Sequence, residues 1–86
     1  MHLLELRNRD EKGAVTASFQ HYGETYYMDM NQKQESGACV ITYWKKVPGG
    51  KMYLCQMERN DVRMSIRWAV TCIKEYCQGL DWRMRS

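Results

Sequence analysis

The feature that most constrains this chain is a change of hydrophobic period near residue 60. Before it, apolar residues fall in short runs, and two runs alternate: Val15, Ala17 and Phe19, then Tyr26, Met28 and Met30, with Thr, Ser, Gln or Asp between most of them. After it, Val62, Ile66, Ala69, Ile73, Cys77 and Leu80 recur at spacings of three and four. A period of two puts alternate side chains on one face of a strand, and a period near 3.6 puts them on one stripe of a helix. The chain is therefore read as strands followed by a helix.

Turn residues divide the strand region. Val47-Pro48-Gly49-Gly50 is a hairpin signal, because proline fixes the first turn position and glycine accepts a positive φ at the second. Arg9 to Gly13 and His21 to Glu24 punctuate the chain in the same way. The expected strands cover about residues 3–8, 14–20, 25–30, 38–47 and 51–57, and residues 31–37 are a polar loop or a single helical turn. Closing the hairpin at Pro48-Gly49 places Cys55 opposite Thr42. The helix is expected over about 61–78, with Asn60 or Asp61 as N-cap and Gly79 as its stop. Connections this short leave no room for parallel crossovers, so the sheet is an antiparallel meander. A one-faced sheet and a one-striped helix bury each other, and 86 residues suffice for one core. The expectation is an α+β fold, a single domain over 1–86, with the C-terminal amphipathic helix packed on about five strands.

Composition excludes several classes of function. Thirteen Lys and Arg against 10 Asp and Glu give a net charge of +3, far from the basic footprint of a domain that lives on phosphate backbones. No apolar run approaches the roughly 18 residues that span a bilayer, and the start lacks a signal-peptide layout. A cytoplasmic chain without a membrane partner is expected. Cys39, Cys55, Cys72 and Cys77 show no C-x-x-C spacing and are read as reduced thiols filling apolar space. His2 and His21 lie on different elements, and Cys72 and Cys77 are five apart on a helix, so neither a metal site nor a cofactor is expected. No G-x-S-x-G elbow surrounds a nucleophile, and Gly49-Gly50 leads into a strand rather than the helix a phosphate loop needs. The reading is of a protein that is not an enzyme.

What remains is a surface. On the expected helix, Met64 and Trp68 project away from the core stripe with Arg67 beside them, and Trp82, Arg83 and Met84 follow. Trp, Met and Arg are the residues enriched in protein interfaces. The expected partner-binding residues are thus Met64, Arg67, Trp68, Trp82 and Arg83. They await a protein partner, a second copy in a homodimer, or residues 81–85 folding back over Trp68. The expected function is a small protein-binding module that inhibits or regulates a larger protein machine. Chains this spare are often anti-defence, anti-CRISPR-like products of phages and mobile elements, which is an expectation from frequency rather than from any residue. The alternative is a nucleic-acid-binding regulator using Lys45, Lys46, Lys51, Arg63, Arg67 and Lys74. Tyr43, Trp44 and Tyr53 lie near these hairpin lysines, although alternation turns either Tyr43 or Trp44 inward.

Overall fold

A computed structural model of the chain describes residues 1–85. Five strands, β1 (His2–Asn8), β2 (Val15–His21), β3 (Glu24–Gln32), β4 (Cys39–Val47) and β5 (Gly50–Arg59), precede one helix, α1 (Ile66–Arg85). The strands pair antiparallel in chain order, so the sheet is the expected meander. Strand ends differ from the sequence reading by a few residues at most. The helix differs more.

Helix α1 begins at Ile66 because Ser65, not Asn60 or Asp61, is its N-cap. The Ser65 hydroxyl accepts from the Trp68 N–H at 3.2 Å, and the Ser65 carbonyl takes the first helical bond from Ala69 at 2.9 Å. Asp61 is engaged elsewhere, accepting two bonds from the Arg59 guanidinium at 2.9 and 2.6 Å. At the other end, the helix passes through Gly79 and continues to Arg85. Tertiary contacts outweigh the helix-breaking tendency of glycine: Leu80 packs against the core, and His21 at the end of β2 donates to Asp81 at 2.7 Å. Residues 81–85 therefore extend the helix and do not fold back over Trp68.

Two β-bulges decide which side chains face α1. In the last hairpin Val47 pairs with Gly50 as expected, but the register shifts between Tyr43 and Trp44, and Leu54 is the extra residue. Cys55 consequently stands opposite Tyr43 rather than Thr42, and Gln56 takes the place beside Thr42, donating to its hydroxyl at 3.1 Å. One inserted residue exchanges the faces of everything beyond it, so Cys55, Met57 and Arg59 share the inner face with Tyr43, Ile41 and Cys39. A second bulge at Leu4 lets Leu3 and Leu6 both face inward, opposite Phe19 and Ala17.

The core is built around rings. Phe19 stacks on Tyr26 with centroids 5.3 Å apart, Tyr43 stacks on Tyr76 at 4.0 Å, and edge contacts join the two pairs. The Tyr43 hydroxyl donates to the Cys72 carbonyl at 3.1 Å, tying β4 to α1. Val15, Met28, Met30, Ile41 and Ile73 are fully buried around this cluster. The expected stripe holds at Ala69, Ile73, Cys77 and Leu80 but widens toward one side: Cys72 is also buried and Tyr76 packs on the core, whereas Ile66 is 37% exposed. Val62 is buried, but in the loop before the helix.

Candidate functional site

Helix α1 is narrower than a five-stranded sheet, and its backbone runs closest to β1 and β2. The inner face of β5 is left partly uncovered. A groove of about 380 Å³ lies there, between β5 and the near flank of α1. Cys55 and Met57 from the strand and Tyr76 and Leu80 from the helix give it an apolar lining, with Arg59, Glu75 and Arg83 at its border. Gly79 also lines it, and the missing side chain keeps the groove open along the helix.

Charge fixes the upper end of this groove. The Arg59 guanidinium spans the gap from strand to helix, donating to Glu75 at 2.5 Å and to Asp61 at 2.9 and 2.6 Å. The guanidinium hydrogen bonds hold the Asp61 carboxyl below its ordinary value. Burial pushes the Tyr76 phenol up to about 12, so its hydroxyl stays protonated at the groove wall.

The strand beside the groove is an open edge. Residues 52–57 of β5 carry no charge, and Met52, Tyr53 and Met57 are all well exposed. The opposite edge is guarded differently, since β1 carries Glu5 and Arg7 as an ion pair at 3.1 Å. An edge strand with free backbone groups and no interior charge is a template for another strand.

The expected partner-binding residues are only partly brought together. Trp68 and Trp82 lie seven residues on either side of Glu75 along α1, so both fall on the flank that borders the groove. Arg83 lines the groove itself. Trp82 is 77% exposed, but Trp68 is half-buried and packs against the core, which corrects its reading as a fully projecting side chain. Arg67 is exposed and shares a shallow depression with Trp68 and Thr71. Met64 belongs to the loop before α1, is half-buried against the core, and lies beside Gly13, away from this flank.

The alternative basic set is divided by the sheet. Lys46 and Lys51 pair with each other on the outer face, and Lys45 turns to the inner face, where it meets Glu24 at 3.5 Å. Arg63, Arg67 and Lys74 are exposed on the helix side of the molecule. They do not form one surface. Sequence reasoning missed the groove residues Cys55, Met57 and Tyr76. The uncharged run 52–57 was a legible signal for the open edge; the groove was not, because a bulge sets the facing of Cys55 and Met57.

All four cysteines are free thiols, and burial raises each of them. Cys39, Cys72 and Cys77 are buried and Cys55 is half-buried in the groove. With iodoacetamide at neutral pH, Cys55 should react first, and the other three roughly tenfold or more slowly, at the rate of local opening. Because its thiol value is raised above the ordinary 9.0, the Cys55 rate should still be climbing above pH 9. Peptide mapping by mass spectrometry reads this out, and equal labelling of Cys72 and Cys55 would contradict the groove.

Among the described residues no three His, Cys, Asp or Glu side chains gather as a metal site, and no helix is long and apolar enough to cross a membrane. Comparison with family models, curated proteins and solved structures finds no match.

Proposed function

We propose that this chain is a non-enzymatic protein-binding module, an inhibitor or regulator that occupies a larger protein, and that it takes an extended segment of that partner alongside β5. The groove carries the reading. It supplies apolar floor from Cys55, Met57, Tyr76 and Leu80 directly beside a strand edge with unused backbone hydrogen-bonding groups. Strand addition obtains affinity from main-chain bonds and selectivity from pockets for alternate side chains. Here the inward-pointing side chains of the added strand enter the groove. Trp82, exposed on the same flank, provides the large aromatic anchor typical of binding hot spots. Arg59 and Glu75 close one end and Arg83 borders the other, which sets the register of the bound segment.

The test is selection of 12-residue peptides from a random display library, then calorimetry and amide-shift mapping with an enriched peptide. Enriched sequences should alternate apolar and polar residues and shift amides of β5 and of residues 72–83. Met57→Arg puts a charge on the groove floor and should weaken binding at least about tenfold. Trp82→Ala should weaken it by a similar factor, with far-ultraviolet circular dichroism unchanged. Failure to enrich any peptide, or shifts confined to residues outside β5 and α1, would overturn the proposal.

A further inference from the structure

The sheet face opposite α1 carries a second arrangement that neither the core nor the groove uses. Register sets Tyr27 beside Trp44 and Trp44 beside Tyr53, so one aromatic row crosses β3, β4 and β5 on the outer face. The row is open: Tyr27 and Trp44 are half-buried, and Tyr53 is 59% exposed. Next to it Lys46 and Lys51 stand directly opposite each other, and the Lys51 ammonium lies 4.2 Å from the centre of the Trp44 ring.

The charge pattern of this face is uneven. Glu5 is paired with Arg7 at 3.1 Å, Asp29 with Arg9 at 3.9 Å, and Glu58 with Lys33 at 2.9 Å. Among the described residues neither Lys46 nor Lys51 has a carboxylate within ion-pair distance. Like charges directly opposite on a sheet weaken the strand pairing. Guarding an edge explains Lys51 on β5, but Lys46 is on β4, which is paired on both sides. Lys51 rests on the Trp44 ring, but Lys46 opposite it adds a like charge with no such contact, and the two ammonium groups together suit an anion.

We propose that this outer face binds single-stranded nucleic acid, with bases stacked on Tyr27, Trp44 and Tyr53 and backbone phosphates against Lys46 and Lys51. Two strand spacings separate the ends of the row, about 10 Å, which suits two or three unstacked bases on a sheet. Stacking accepts any base, so the site reads the single strand rather than its sequence. Only two cations contact phosphate, which agrees with a net charge of just +3. The site lies on the other side of the sheet from the groove and stands whether or not the groove takes a protein segment.

The experiment is fluorescence anisotropy of labelled 12-nucleotide oligothymidylate and oligouridylate at 50 and 200 mM NaCl. Two neutralised phosphates predict an affinity loss of about sevenfold between these salt concentrations. Tyr53→Ala and Trp44→Ala should each weaken binding about tenfold. Tyr53 is the safer variant, being an exposed residue on an edge strand, and circular dichroism checks the fold of both. The double variant Lys46→Glu, Lys51→Glu should remove most of the binding and flatten the salt dependence, whereas Arg67→Glu with Lys74→Glu should leave both unchanged. A 12-base-pair duplex should bind at least about tenfold more weakly, since its bases are already stacked. The proposal is overturned if neither oligonucleotide binds at protein concentrations up to about 100 μM, a range that covers even non-specific affinities. It is equally overturned if the helix double variant abolishes binding or Tyr53→Ala leaves it intact.

Discussion

Ile73→Ala should lower the unfolding free energy by about 2 to 5 kcal/mol, while Ile66→Ala should cost less than about 1 kcal/mol. The two isoleucines have the same side chain, lie on the same helix and share one heptad-like stripe in the sequence. They differ in what surrounds them. Ile73 is fully buried against the sheet, so truncation loses the transfer energy of its methyl and methylene groups and leaves a cavity that the ring cluster cannot collapse to fill. Ile66 is the first residue of α1 and 37% exposed, so solvent fills the space its side chain leaves. Urea denaturation of both variants measures the difference. Comparable losses would mean that α1 is rotated from the position in which Cys72 and Tyr76, rather than Ile66, meet the sheet.

Gly13→Ala should destabilise the protein by about 1 to 3 kcal/mol, and Gly79→Ala should stabilise it by about 0.5 to 1 kcal/mol. Gly13 has φ of +94°, and a Cβ there would sit 3.0 Å from the backbone carbonyl oxygen of Met64. Both the backbone conformation and the space exclude a side chain. The contact joins the β1–β2 turn to the loop that leads into α1, so pushing it apart disturbs two connections at once. The same turn is held by Asp10, whose carboxylate accepts from the amides of Lys12 at 2.9 Å and Ala14 at 3.2 Å. Gly79 is the reverse case: it lies inside α1, and a Cβ there meets nothing within 4 Å. Alanine then removes the entropy that glycine loses on entering a helix. Thermal and urea unfolding of the two variants should move in opposite directions, and a destabilised Gly79→Ala would place Gly79 in a conformation other than helical.

The order of elements was legible because period and punctuation agreed. Val15, Ala17 and Phe19 alternate, Pro48-Gly49 turns the chain, and both signals act over only a few residues. The helix ends were not legible. Asn60, Asp61 and Ser65 are all competent caps by type, and the choice among them depends on Arg59 reaching Asp61 and leaving Ser65 to receive the Trp68 amide. Gly79 reads as a stop in isolation and is overridden by His21, which is distant in sequence and bonded to Asp81.

The candidate sites divide along the same line. A Trp at position 82 off the apolar stripe, an uncharged run at 52–57 and the lysines around the hairpin are local facts of sequence, as is the strand-then-helix order that makes an α+β sheet and helix. Which residues share a surface is not local. An extra residue at Leu54 brings Cys55 and Met57 to the groove, and the pairing of β3 with β4 sets Tyr27 beside Trp44, seventeen residues away along the chain but adjacent across the sheet. Sequence determines the period of each element because that depends on neighbours within one or two turns. Register, bulges and helix rotation are decided only when the elements pack, because each is the arrangement that buries the ring cluster and satisfies its polar groups together.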